Sequence, residues 1–267
     1  MQKILSILLP SFCVLAFCLS CSSIAEDERL VYVEPEPAQR NVLIEDFTGQ
    51  RCINCPKATE AIEKIKEVYG GNIISIAIHS GPNGVDKDGV YKGVPFQGLA
   101  TGTGNEYWNQ WFTSGTGQPI AKINRGEATN DYNNWSAEVA QAMQTSTDVK
   151  IEATTEYDSA TRQLSIDTHL MGKAKNSAKL QLLLTEDSIP SLQIMPDGSY
   201  NSNYIHNHVF RDAINGTWGE DITFDEGIIS KHHAYTMPDK CKPENTHVVI
   251  FVYNTNGVEQ VISVPVD

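Results

Sequence analysis

The 267-residue sequence predicts a mixed α/β first half joined to an all-β second half. Three patterns carry that prediction. The apolar run Val42-Leu43-Ile44 leads into Cys52-Ile53-Asn54-Cys55-Pro56, followed by helical spacing at Ala58, Ile62, Ile65 and Val68. Next, Asn72 to Ile78 reads as a fully buried central strand, Ile120 to Ile123 as another apolar strand, and Trp135 to Met143 as a closing helix. From Val149 onward, alternation of period two replaces the helical signal.

The cysteine pair is the most informative element. Two thiols three positions apart at the start of a helix can close a small disulfide ring. The free N–H groups and positive dipole end of that helix favour the thiolate of Cys52, and Arg51 adds positive charge beside it. Strand, C-x-x-C and helix in that order point to a thiol–disulfide site; zinc would need a second ligand pair. The alternative is a purely structural disulfide in an exported domain.

Val42-Leu43-Ile44-Glu45-Asp46-Phe47 places an acid–Phe pair just upstream, with Asp46 six positions before Cys52, and Gln118-Pro119 opens the later strand. In these features the first half resembles thioredoxin. The resemblance implies a thioredoxin-like α/β domain over residues 39–147. Asp46 would sit buried behind the cysteines and accept the proton of Cys55, its pKa raised by desolvation. Pro119 matches the cis-proline that lies against the disulfide and offers backbone pairing to a substrate chain. From the residues alone, Glu45 could be the inward acid and Pro119 an ordinary strand-start proline. Two departures stand out: Arg51 replaces the tryptophan of thioredoxins, and a glycine-rich insertion occupies 80–117. Loops this long are usually functional or disordered; Trp108, Trp111 and Phe112 are expected to pack this one down rather than form a lid.

Residues 1–20 read as an export signal, with Lys3, an apolar stretch and then Ser20-Cys21. A small residue before a cysteine resembles a lipobox, although Cys18 stands where leucine is preferred. Cys21 is thus the expected lipidation site, and residues 21–38 form an acidic tether. Cleavage would leave roughly 245 residues, enough for two domains. Losing Lys3 takes the net charge from −13 to about −14, which excludes nucleic acid and anionic membrane surfaces as partners. Cys241, in the polar loop Asp239 to Pro243, reads as an incidental loop thiol.

In residues 148–267, Lys150 to Tyr157 alternates, Asp158 to Thr161 turns and Leu164 to Leu170 returns. Further short strands fall at Lys179–Thr185, His208–Phe210, His233–Thr236, Val248–Tyr253 and Val258–Val264. Seven or so such strands predict an immunoglobulin-like or fibronectin-like sandwich. Ser188 to Asn207, rich in Ser, Asn and Tyr, reads as a long exposed excursion. His206 and His208 on one strand face would be a weak metal pair, without an identifiable third ligand.

The lipobox, Phe47-Thr48-Gly49 leading into Cys52-Ile53-Asn54-Cys55-Pro56, and the all-β half with His206-Asn207-His208-Val209-Phe210-Arg211 together resemble one family. It is that of the 28-kilodalton outer-membrane lipoproteins of Gram-negative anaerobes. The resemblance implies a lipid-anchored outer-membrane protein on the periplasmic or cell-surface face, with a protein or host ligand as partner and no cofactor. Two functions follow. In one, the protein is a tethered thiol–disulfide oxidoreductase using Cys52, Cys55, Asp46 and Pro119. In the other, it is a surface adhesin or binding protein in which the thioredoxin-like fold is only a scaffold. Anchoring through Cys21 predicts that Cys21→Ser abolishes metabolic labelling with a radioactive fatty acid. Equal labelling of wild type and variant would exclude that cysteine.

Overall fold

The computed structural model of the protein describes residues 38–173, 176–224 and 228–266. The expected signal and nearly all of the tether, Cys21 included, lie outside the described residues. The chain enters as β1 (Ala38–Gln39) and β2 (Val42–Thr48), the latter buried along its whole length. Helix α1 (Cys55–Tyr69) carries Pro56 in its first turn, where a missing N–H costs nothing, and buries Ala58, Ile62 and Ile65. Strand β3 (Ile73–His79) then runs parallel to β2, Asp46 opposite Ala77.

The insertion forms a turn at Gly81–Asn83, a hairpin of β4 (Gly89–Tyr91) and β5 (Val94–Phe96), and helix α2 (Gly102–Trp111). Thr101 caps α2, its hydroxyl accepting from Gly104 N–H at 3.0 Å. Trp108, Trp111 and Phe112 surround Phe47, with ring centroids at 6.4, 5.6 and 4.9 Å, so they pack the insertion onto the core. The chain continues through β6 (Ile120–Ile123), β7 (Ala128–Thr129), α3 (Trp135–Ala142) and β8 (Ser146–Thr147), which pairs with β1.

The second part is built of strands, with one short 3-10 turn at Pro243–Asn245 among the described residues: β9 (Lys150–Asp158), β10 (Gln163–Met171), β11 (Asn176–Glu186), β12 (Ile189–Ile194), β13 (Tyr200–His206), β14 (Val209–Ala213), β15 (Glu220–Phe224), β16 (Ile229–Thr236), β17 (Thr246–Asn254) and β18 (Gly257–Pro265). Ser188 to Asn207, expected as an exposed excursion, is the β12–β13 hairpin, and Ser191, Leu192, Gln193 and His206 on it are buried. Its polar composition hid this, because the buried polar groups are bonded to distant residues.

Strands β9, β10 and β16 form a three-stranded antiparallel sheet. A nine-stranded mixed sheet runs β18-β17-β11-β14-β3-β2-β6-β7, with β15 also on β11. Strand β14 joins β3 in parallel at Val209 and Ala77. Strands on both sides of the expected junction at 147/148 therefore share one sheet, within one compact unit. The change of pattern near Thr147 marks where strand-only structure begins, not where the sheet stops. The protein is mostly β.

Period-two alternation puts the main hydrophobic cores around this sheet. Leu180, Leu182 and Leu184 face Leu164, Ile166 and Leu170 across the strand-only layers. Leu183, Val249 and Phe251 face the other way and meet Leu43, Phe47, Ile76 and Ile78. The sheet curls so that β18 reaches the start of β2: Asn41 Nδ2 donates to the Val261 carbonyl at 2.9 Å. Helices α1 and α3 cover Val42 and Ile44 on the opposite face.

Within the second core lies a buried ion pair. Glu45 is fully buried, and Arg125 Nε and Nη2 each donate to its Oε1 at 3.2 Å. The guanidinium stacks on Tyr253 at 4.2 Å and Phe251 at 4.7 Å. Asn124 and Arg125 both adopt left-handed backbone (φ 49° and 58°), turning the chain after β6 so that Arg125 reaches the cage. Asn124 Oδ1 holds that turn by accepting from Leu43 N–H at 2.8 Å. Arg125→Met should cost about 3–5 kcal/mol in denaturant unfolding, because a buried carboxylate loses its partner. Glu45→Gln combined with Arg125→Met should recover part of that loss.

Candidate functional site

Strand β2 delivers the chain to the site through the loop 49–51. A Cβ on Gly49 would lie 2.4 Å from the Asn83 carbonyl carbon, so only glycine lets the 81–83 turn close on the loop. The Arg51 N–H bonds the Asn83 carbonyl there at 3.1 Å. Cys52 and Cys55 form a disulfide with Cα atoms 5.4 Å apart, and Cys55 N–H points to Cys52 Sγ at 3.1 Å. Both are buried, 3% and 2% exposed, while Arg51, Ile53 and Asn54 face solvent.

The peptide Gln118–Pro119 is cis, immediately before β6. Strand β6 pairs antiparallel with β2, Ile120 opposite Phe47, which sets buried Pro119 at the end of β2 that leads to Cys52. Gln118 fixes this corner: its Nε2 donates to the Thr48 and Ser80 carbonyls at 2.8 and 3.0 Å.

Asp46 and Glu45 are both buried but face opposite sides of β2. Asp46 lines a cavity of about 40 Å³ together with Cys55 and Thr59 of α1, Ser75 and His79 of β3, and His206 of β13. Burial pushes the Asp46 carboxyl up to about 7, with no cation beside it. Burial likewise holds His79 well below its usual value and lowers His206 to about 4, so both rings are neutral at pH 7. Their centroids are 5.1 Å apart, edge to face.

The β12–β13 hairpin covers the loop bearing Cys52. Gln193 Nε2 donates to the Cys52 carbonyl at 3.0 Å, and the Ile194 N–H to the Gln50 carbonyl at 2.9 Å. Gln50, fully buried, donates to Ser191 Oγ and the Gln97 carbonyl, both at 2.9 Å, and accepts from Leu99 N–H at 3.0 Å. Sequence reasoning missed Gln50 and Gln193. Neither carries a local signal, since the partners lie some 50 to 140 positions away.

His206 and His208 are not a strand pair. Strand β13 ends at His206, and His208 takes a left-handed backbone (φ 54°) that breaks the alternation. His208 Nδ1 lies 2.9 Å from Asp187 Oδ1, on the β14 side, whereas His206 meets Tyr204 and His79 edge to face. Among the described residues no group of three or more His, Cys, Asp or Glu could hold a metal ion. Cys241 is buried in the core of the strand-only layers rather than exposed in its loop, and burial pushes its thiol up. It does not line the cavity.

Fold and site together define a mostly-β protein carrying a strand–disulfide–helix site beneath a hairpin. The profile of the family described as outer membrane protein Omp28 matches residues 105–267, and the chain belongs to that family. It is accordingly an outer-membrane protein. The match takes in Pro119, Gln193, His206 and Cys241 but leaves out Asp46, Cys52 and Cys55. The structure of HBP35 of Porphyromonas gingivalis is similar at a TM-score of 0.63 and 14% identity, over 86% of this chain and 76% of that one. A protein of Agrobacterium tumefaciens superposes at a TM-score of 0.51 and 16% identity, over 86% and 96%. A domain of the outer membrane lipoprotein Omp28 from Porphyromonas gingivalis is 24% identical over 45% of this chain and 95% of that one, at a TM-score of 0.31. No curated protein matches the chain. Among the described residues no helix is long and apolar enough to cross a membrane.

The raised Asp46 pKa has a defined sign. The folded protein binds this proton more tightly than the unfolded chain, so the associated stability is complete below about pH 4 and is lost as pH rises through about 7. Asp46→Asn should therefore stabilise the protein at pH 8, by up to about 4 kcal/mol, and have little effect at pH 4. Denaturant midpoints at the two pH values check this.

Proposed function

We propose that residues 39–147 adopt a thioredoxin-like arrangement and that Cys52 and Cys55 exchange disulfides with exported proteins at the outer membrane, the protein being tethered through Cys21. The observation that carries this reading is the cavity shared by Cys55 and Asp46, where an uncompensated carboxyl is held near neutrality. A disulfide that serves only as a staple has no use for such a group, which costs stability at neutral pH. The place of buried Pro119, at the end of β2 that leads to Cys52, supports the same reading.

In the reduced protein, Cys52 thiolate attacks a substrate disulfide, forming a mixed disulfide and releasing one substrate thiolate. Asp46 then takes the proton of Cys55. The Cys55 thiolate attacks Cys52 Sγ, the intramolecular disulfide forms, and the second substrate sulfur leaves as a thiolate. Two electrons pass from the cysteine pair to the substrate.

The second reading, a surface binding protein with an immunoglobulin-like β half and an inert disulfide, draws on the burial of both cysteines beneath the β12–β13 hairpin. The two readings separate on one experiment. Exchange predicts that Cys55→Ala accumulates a thiol-reversible adduct between Cys52 and an exported protein, and that Asp46→Asn slows resolution at least 100-fold. A staple predicts no adduct and a loss of about 2 kcal/mol or more on reduction.

A further inference from the structure

Four side chains lining the cavity beside Cys55 each carry a buried polar atom with no hydrogen-bond partner in the protein: Asp46 Oδ1, Ser75 Oγ, His79 Nδ1 and His206 Nε2. All four residues are more than nine-tenths buried. Alternation explains three of them, because Ser75 and His79 share one face of β3 with Ala77, which is paired with Asp46. The fourth arrives on the β12–β13 hairpin. There the His206 ring bonds the Leu192 backbone, leaving Nε2 to face the cavity unpaired.

Buried polar atoms almost always find a partner, in the protein or in ordered water. A cavity needs about 10–15 Å³ to hold one water molecule, and that water needs two to four polar partners. This cavity offers about 40 Å³ and four. Its lining also reaches the surface, at half-exposed Ile205 and at exposed Asn207 and Glu63. We propose that the cavity is a built water site, in which about two or three water molecules bridge Asp46, Ser75, His79 and His206 and lead from the buried carboxyl to the rim.

Resting on the exchange reading, the site completes the proton balance of resolution. The proton that Cys55 gives to the Asp46 carboxylate leaves through these waters to solvent, and no further electron moves. His206 is a positioning residue: its neutral Nε2 accepts from the first water and orients it. The titratable groups facing Asp46 are His79 from β3, Glu63 from α1 and Tyr204 and His206 from the hairpin, with His208 at the far rim. Neutral His79 and His206 leave Asp46 without a competing cation.

The test uses the mature full-length protein, with glutathione disulfide as probe. High-resolution density for the wild type should show ordered water bonded to both Asp46 and His206. In His206→Leu the infrared band of the protonated Asp46 carboxyl, followed against pH in the oxidised protein, should titrate at a higher pH. Release of glutathione from the Cys52 mixed disulfide should slow about tenfold or more, while the initial attack by Cys52 stays within about twofold of wild type. His206→Gln should restore resolution, and Ser75→Ala should give a smaller loss if His206→Leu folds poorly. A dry cavity, or an unchanged Asp46 titration in His206→Leu and Ser75→Ala, overturns the water site. Water present and the titration shifted, with wild type inert to glutathione disulfide, would instead remove the exchange reading and leave the site standing.

Discussion

Two adjacent carboxylates on one doubly buried strand impose most of the remaining structure. Strand β2 has no solvent face, so Glu45 and Asp46 must each be accommodated inside the protein, on opposite sides. Glu45 is met by a guanidinium that needs two consecutive left-handed residues and aromatic rings from α2 and β17 to hold it. Asp46 has no cation, and its side of the sheet is lined instead by neutral polar groups. Charge compensation on one face and its absence on the other separate a structural carboxylate from a titrating one.

The hairpin of β12 and β13 ties the strand-only part of the chain to the disulfide. Its Gln193 satisfies the Cys52 carbonyl, its backbone pairs with Gln50, and its last residue, His206, enters the cavity. The contact is polar and nearly every group in it is paired, which fixes position more sharply than apolar packing would. The site is thus assembled from distant segments. The cysteines and Asp46 precede the region matched to the Omp28 family, while Pro119, Gln193 and His206 lie within it. Neither segment alone contains the whole site.

The family fixes location more firmly than activity. The fold of this chain is mostly β, and folds host many functions, so any chemistry resides in the site. A carboxyl raised to about pH 7, two neutral buried histidines and a cluster of polar atoms without partners in the protein all cost stability. Such costs persist where a site has a use for them.

The sequence by itself determined the elements and their order. Strand, C-x-x-C and helix, the acid six positions upstream, the proline before β6 and the strand-only second part were all legible, because each rests on periodicity or on chemistry local to a few residues. Even the polar stripe was written there, as Ser75, Ala77 and His79 alternating with Ile74, Ile76 and Ile78. Only the tertiary structure decided that the two parts share one sheet, that Cys241 is buried, that Ser188 to Asn207 folds over the disulfide, and that His206 joins Asp46 while His208 turns to Asp187. Those outcomes depend on pairings between residues up to about 140 positions apart, such as Gln193 with Cys52, and a polar residue looks the same in sequence whether water or a distant backbone carbonyl satisfies it.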